Sequence, residues 1–337
     1  MLQEGIGPVE ITFTMILDAC SEGKLAEGKF AHACIVGGGS LNINVDITTA
    51  LITFYGKHGM LKHAGLVFDE LSEKDVIAWN AMIAACARQC HHIEGFKCFH
   101  QMQMECFIPN CATFASSLSA CVTEASLVDG KRMHACIVGA SMESDIVVGT
   151  SLIHMYGKCG SLDHAKLVLD VFPHRTVVTW NTLISVYAQH GQGKMALEVF
   201  HDMESKEIRP DKATFSCVLS ACSHGGYVDE GLRCFLSMLQ VHGIRPTIQH
   251  FNCIINLLSR AGRLEEGESL VSFMPSQPVD TLWTTLLSAC RMHLDVKRAN
   301  RLANQMKQVS FESDSTSLLI ANIFASPERE GGDWDLR

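Results

Sequence analysis

The residues best suited to chemistry in this chain are its fifteen cysteines, its sixteen histidines and a His92-Ile93-Glu94 triplet. The triplet has the His-x-Glu form of half a zinc cytidine deaminase signature, in which the glutamate moves protons and a Pro-Cys-x-x-Cys segment completes the metal site. Pro109-Asn110-Cys111 lacks the second cysteine at that spacing, and no Cys-x-x-Cys pair occurs anywhere. Cys20, Cys121 and Cys222 are instead spaced by 101 residues, as if copied, and Cys34 and Cys136 repeat within one six-residue string. Cysteines placed this way read as small apolar residues of a reducing compartment. No Ser-His-Asp arrangement, phosphate loop or carboxylate pair argues for catalysis. The sequence therefore implies no cofactor, no metal and no enzyme.

The elements that would position any functional side chain are repeated. Tyr55-Gly56-Lys57-His58-Gly59-Met60-Leu61 returns as Tyr156-Gly157-Lys158-Cys159-Gly160-Ser161-Leu162, and Leu258-Ser259-Arg260-Ala261-Gly262-Arg263-Leu264 echoes it again. Trp79-Asn80 returns as Trp180-Asn181 after 101 residues and Trp283 follows 103 later, and His-Ala-Cys-Ile-Val-Gly stands at both 32–37 and 134–139. Periodicity of this kind is the mark of a stacked array whose function lies on a surface that recurs once per unit.

Each unit fits a helix–turn–helix. In 177–211, Leu183, Ile184, Val186 and Tyr187 lie at helical spacing within an expected helix 181–190, and Gly191 and Gly193 are expected to break the chain. A second expected helix, 195–205, carries Ala196, Leu197, Val199, Phe200 and Met203 and ends before Pro210. The units are placed at 10–44, 45–75, 76–110, 111–145, 146–176, 177–211, 212–247 and 248–279, with divergent helical segments at 280–313 and 314–337. Residues 1–9 resemble the tail of a preceding unit, and the opening carries no signal-peptide or transit-peptide pattern.

The composition agrees with a helical array: 47% hydrophobic, 26 glycines against 8 prolines, and no apolar run long enough to span a membrane. Twenty-seven basic and 36 acidic residues give a net charge of −9, which disfavours non-specific coating of nucleic acid. A narrow basic track is still present. The thirteenth residue of four units is Lys57, Arg88, Lys158 or Arg260, placed to follow a phosphate backbone and also to neutralise a helix C-terminus.

Several motifs together resemble the pentatricopeptide repeat family, in its plant class that alternates P, L and S units. Val177-Val178-Thr179-Trp180-Asn181-Thr182-Leu183-Ile184 ending in Pro210-Asp211 is similar to the P type. Ala112-Thr113-Phe114 through Leu118-Ser119-Ala120-Cys121 and Gly130-Lys131 is similar to the L type. Met155-Tyr156-Gly157-Lys158-Cys159-Gly160 is similar to the S type. Trp283-Thr284-Thr285-Leu286-Leu287-Ser288-Ala289-Cys290-Arg291 is similar to the E segment that follows the last S unit, and 318–325 resembles the start of its second half. The order is then L-S-P-L-S-P-L-S over 10–279, with an incomplete E-type segment at 280–337. The resemblance implies an all-α fold, a right-handed α-solenoid of helix–turn–helix repeats.

The resemblance also implies a site. In such solenoids one repeat addresses one base of single-stranded RNA. The family uses the fifth residue and the last residue of each unit. On the Watson–Crick edge, U N3 and G N1 carry a hydrogen, whereas C N3 and A N1 are bare acceptors. A last-position Asp accepts from U or G, and a last-position Asn donates to C or A. Asn at the fifth position goes with pyrimidines and Thr or Ser with purines. Thr49 with Asp75 then implies G, Asn80 with Asn110 implies C with U tolerated, Thr150 with Thr176 a purine, Asn181 with Asp211 U, and Asn252 with Val279 a pyrimidine. The L units, with Thr14/Asn44, Ala115/Asp145 and Ser216/Thr247, are left unassigned. The string reads 5′-G-C-N-purine-U-N-pyrimidine. Ile77, Val147 and Val178 fit the aliphatic second position that packs against a base; Asp46 does not. Each Asn, Asp or Thr can also be an ordinary helix-start residue.

The expected job is that of a site-recognition factor for C-to-U editing in mitochondrial or chloroplast RNA. The last S unit would lie four nucleotides 5′ of the edited base. A deaminase would be recruited in trans through 280–337, with a deaminase-bearing relative and multiple organellar RNA editing factors as expected partners. Two alternatives compete. One is a peptide-binding solenoid of the tetratricopeptide kind, which has similar helix pairs but lacks the Asn/Asp and Thr/Asp pairing. The other is a fragment inactive by itself, since 326–337 stop short of a complete E segment.

Overall fold

The computed structural model describes residues 10–37, 45–121, 123–274 and 280–309. These residues form eighteen α-helices and one short 3-10 turn, and no strand occurs among them. The chain groups into two compact units, up to Val186 and from Tyr187.

In the first unit, hairpins follow one another: α1 (Glu10–Cys20) with α2 (Leu25–Gly37), α3 (Val45–Lys57) with α4 (Leu61–Asp69), α5 (Val76–Arg88) with α6 (His92–Met104), α7 (Cys111–Ser119) with α8 (Leu127–Gly139), and α9 (Ile146–Lys158) with α10 (Leu162–Val171). The division falls inside α11 (Val177–Gln189). The second unit continues with α12 (Gly193–Ser205), then α13 (Lys212–Gly225) with α14 (Val228–Gln240), α15 (Ile248–Arg260) with α16 (Leu264–Ser272), and α17 (Asp280–Met292) with α18 (Val296–Val309).

The stacking is sequential. The first helix of each hairpin packs on the first helix of the next: α1 on α3, α3 on α5, α5 on α7 and α7 on α9 in one unit, and α13 on α15 and α15 on α17 in the other. This is the order of an α-solenoid. The third and fourth residues of these helices turn inward, so that Ile47, Thr48, Ala78, Trp79, Thr113, Phe114, Thr179, Trp180, Thr214, Phe215, His250 and Phe251 are buried. At the twelfth residue of α3 and of α9 only a small residue fits, because there the neighbouring helix comes close. A Cβ on Gly56 would lie 2.6 Å from Ala85 Cβ, and one on Gly157 2.4 Å from a Val186 methyl.

The turn between the two helices is equally regular. The fifteenth residue of a unit takes a positive φ, 72° at Gly59 and 73° at Gly160, which glycine adopts without a steric penalty. Cys90 (φ 56°) and Leu294 (φ 57°) hold the same place with a side chain. Seven of the cysteines, Cys20, Cys86, Cys121, Cys159, Cys222, Cys234 and Cys290, are buried, and Cys90 and Cys106 are exposed.

Two details differ from the sequence expectation for 177–211. Helix α11 starts at Val177 rather than 181, because the Thr179 hydroxyl accepts from the Thr176 backbone N–H at 3.0 Å and starts the helix early. Gly193 does not break the chain but opens α12; the turn is carried by Gly191, at φ 69°.

Candidate nucleic-acid interface

The first residue of each expected unit opens a helix, at Glu10, Val45, Val76, Cys111, Ile146, Val177, Lys212, Ile248 and Asp280. Where it is among the described residues, the last residue of the preceding unit is therefore a helix N-cap. Asp75 Oδ1 accepts from Ala78 N at 2.8 Å, Asn110 Oδ1 from Thr113 N at 3.0 Å, Asp145 Oδ1 from Val148 N at 3.0 Å, and Asp211 Oδ1 from Thr214 N at 2.8 Å. A cap of this kind stabilises a helix start by about 1 kcal/mol. It also pins one atom of the side chain inward and turns the other outward. The helix-start role and a ligand-facing role thus fall on one residue without conflict.

The second and fifth residues are three apart and share a helix face. The second is exposed throughout: Ile77 at 61%, Val147 at 55% and Val178 at 57%, with Asp46 exposed beside them. The fifth is half-buried at Thr49, Asn80, Thr150, Asn181 and Asn252. An exposed aliphatic residue next to a half-buried polar one suits a flat ring that needs an apolar face and an edge contact. Between α1 and α3, Thr14, Asp46 and Thr49 line a cavity of about 390 Å³ together with Asp18, Ser21 and Thr53.

Within 76–110 the structure brings the fifth and last residues together. Asn80 Nδ2 donates to Asn110 Oδ1 at 3.2 Å across thirty residues of sequence. Thr113, the third residue of the next unit, closes the network: its hydroxyl accepts from the Asn110 backbone N–H at 3.1 Å and donates to Asn80 Oδ1 at 2.6 Å. A backbone N–H cannot flip, so the Asn110 atom facing Thr113 N is the oxygen. Both amide oxygens are then engaged inside the network, Asn110 Oδ1 by two donors and Asn80 Oδ1 by the Thr113 hydroxyl. The groups left over are N–H donors, both on Asn110 Nδ2 and one on Asn80. Such a site is matched by a base edge that only accepts.

The other assigned positions carry buried polar atoms with no protein partner: Thr49 Oγ1, Thr176 Oγ1 and Asn252 Oδ1. Buried groups of this kind cost free energy until something satisfies them. Thr150 is different, since its hydroxyl already donates to Ile146 O at 2.6 Å. Asn181 is the fifth residue of α11. Val279 and Asn44 lie outside the described residues.

Lys57, Arg88, Lys158 and Arg260 are each the last residue of their helix. From second to thirteenth residue is three turns plus about 20°, so the cation lies on the stripe of the exposed second residue, about 16 Å along the axis. Arg260 Nη1 donates to Ser223 O at 3.1 Å, the C-terminal carbonyl region of α13, and Lys57 stands 3.6 Å from Asp18. Both roles expected of this register, helix-end neutralisation and an exposed cationic track, are open to these side chains.

His92 is the first residue of α6, and Glu94 lies 3.5 Å from His91. Among the described residues no three His, Cys, Asp or Glu side chains converge as metal ligands would.

Sequence reasoning passed over one residue of this interface, His250. It is buried at the third position of its unit and contacts both Ser216 and Thr247. A signal was available, because His250 occupies the register held elsewhere by Thr113, Thr179 and Thr214.

The pattern described as PPR repeat matches residues 47–76, 77–107, 150–172, 213–241 and 250–278, and that described as PPR repeat family matches 175–224. The chain belongs to the pentatricopeptide repeat family. A chloroplastic pentatricopeptide repeat-containing protein of Arabidopsis thaliana, CRR2, is 36% identical over 338 residues, covering 98% of this chain and 51% of its own length. A mitochondrial member from the same plant is 33% identical over 339 residues, covering all of this chain and 60% of its own. The chain thus spans about half the length of such pentatricopeptide repeat relatives. The crystal structure of the pentatricopeptide repeat protein PPR10 with an 18-nt psaJ RNA element shares the fold, with a TM-score of 0.75 at 19% identity over 96% of this chain and 47% of that one.

Proposed function

We propose that this pentatricopeptide repeat protein binds single-stranded RNA in a sequence-specific way, one base per repeat. The observation that carries the reading is the polarity of the Asn80–Asn110–Thr113 network, which spends its acceptors internally and presents amide donors. Cytosine offers N3 and O2 as acceptors on the facing edge, so the donors select C at that position. The carboxylate of Asp75 points the other way: with one oxygen held by Ala78 N–H, the second accepts from the N1–H of guanine, beside the partnerless Thr49 hydroxyl. Ile77, Val147 and Val178 pack against the base faces, and Lys57, Arg88, Lys158 and Arg260 follow the phosphates. The repeats are the eight units within 10–279, and the string they address is 5′-G-C-N-purine-U-N-pyrimidine.

The biological setting follows from the relatives. Matched proteins are named chloroplastic or mitochondrial, which supports an organellar transcript as the ligand. The L-S-P order and the E-like hairpin after 279 support a role as a site-recognition factor for C-to-U editing. The deaminase would act in trans, recruited through 280–337, alongside multiple organellar RNA editing factors. No step of the deamination is assigned to this chain.

The test is direct binding of the purified protein to this RNA and to a scramble of equal composition. Tighter binding to the ordered sequence, by tenfold or more for several matched bases, is expected. Equal affinity would end the reading. Loss of editing at a cytidine four nucleotides 3′ of the base facing 248–279, on removing the protein from the plant, would support the editing role.

A further inference from the structure

The unit 212–247 has no base assigned to it, yet its fifth and last residues are joined as tightly as Asn80 and Asn110. The joining residue is His250, third in α15 and only 1% exposed. Its Nδ1 accepts from the Thr247 backbone N–H at 3.0 Å. A backbone hydrogen cannot turn away, so Nδ1 carries no proton. In the neutral ring the hydrogen is then on Nε2, which lies 2.9 Å from Lys212 O, a group that can only accept. Burial holds the histidine below its ordinary pKa, in keeping with a neutral ring.

This tautomer fixes the hydroxyls around it. Thr247 Oγ1 stands 2.7 Å from the bare Nδ1. Two lone pairs would repel at that distance, so the threonine hydroxyl donates to the ring. Its one hydrogen is spent, and toward the open side it offers only lone pairs. Ser216 Oγ lies 3.1 Å from Nε2–H and keeps its own hydrogen. Ser216 and Thr247 are both half-exposed. The site therefore pairs a fifth-position hydroxyl with a last-position acceptor.

We propose that Ser216, Thr247 and His250 form a base-recognition site that selects a purine bearing a hydrogen at N1, guanine over adenine. His250 is the positioning residue that makes the Thr247 hydroxyl an obligate acceptor. Without such a partner a threonine hydroxyl turns to donate or accept and tells the two purines apart poorly. The proposal rests on the RNA-reading function and extends the addressed string to 5′-G-C-N-purine-U-G-pyrimidine.

The test uses the full chain and RNAs that differ only at the nucleotide facing 212–247: guanine, inosine, adenine or 2-aminopurine. Guanine and inosine carry N1–H, and adenine and 2-aminopurine do not. The first two are expected to bind about tenfold more tightly, the scale of one side-chain–base contact. His250→Thr, which installs the residue found at 113 and 214, is expected to bring the guanine-to-adenine ratio close to one while C remains preferred opposite 76–110. C preferred opposite 76–110 with no guanine preference opposite 212–247 overturns this proposal alone. No preference at either position overturns the RNA reading as well. Nitrogen-15 spectra of the His250 ring in the free protein give a second readout: Nε2–H with a bare Nδ1 is expected, and an Nδ1–H tautomer overturns the role of His250 whatever the RNA result.

Discussion

At the scale of residues, one side chain serves two masters. Asp75, Asn110 and Asp211 cap helices, which any reading of the sequence must allow, and capping orients the atom that faces outward. Of the two uses open in the sequence, the helix-start role is observed, and it is compatible with the proposed ligand contact. Asn110→Asp keeps the cap and replaces outward N–H donors by a carboxylate oxygen. Opposite 76–110 the preference should move from C to U, with a loss on C of about 1–3 kcal/mol in titrations of paired RNAs. An unchanged preference would place the base elsewhere. Arg88→Ala, at the exposed end of α5, should weaken all RNAs alike and reduce the salt slope by about 0.7. A change confined to one sequence would argue that Arg88 reads a base. The register of His250 was legible in the sequence, but its contact with Ser216, 34 residues away, was not, because only stacking brings the two within 3.1 Å; Thr247, three residues away, meets the ring through the local helix-start turn.

At the scale of elements, the repeat spacing made the hairpins legible, while their edges depended on local bonds. Val177 starts its helix because Thr179 caps the turn before it, which the spacing of Leu183, Ile184 and Val186 could not reveal. The small twelfth residue is a packing requirement rather than a flexible joint. Gly157→Leu would drive a side chain into Val186 and should destabilise the fold by about 1–3 kcal/mol in denaturant titration. Tolerance of leucine there would mean the helices can separate. The inter-helix turn gives the opposite prediction. Cys90 holds a left-handed conformation that Gly59 and Gly160 hold at the same register. Cys90→Gly should therefore stabilise by about 0.5–1 kcal/mol, the relief of the left-handed strain less the entropy glycine gains when unfolded. A loss of stability would show that the cysteine side chain contributes packing.

At the scale of the whole molecule, the proposed RNA binding has to be reconciled with an acidic total charge. The cations at 57, 88, 158 and 260 hold the register of the exposed second residue of their own helices, all four exposed. The histidines set a pH limit. Burial is the largest influence on His32, His134, His154 and His250, and it lowers the pKa of each. The unfolded chain therefore binds more protons than the folded one once the pH falls below about 6.5, and folding stability declines from there downward. Thermal melts between pH 7.5 and 5.5 should show a falling transition temperature. A rise on acidification would mean that these rings gain charged partners in the fold.

The central claim is that this solenoid reads bases in register, and selection from a random RNA pool followed by sequencing of the bound fraction tests it most directly. The account predicts enrichment of G-C-N-purine-U-G in that 5′-to-3′ order, with C held most firmly opposite Asn80 and Asn110. A folded, helical protein that enriches no ordered sequence would contradict it.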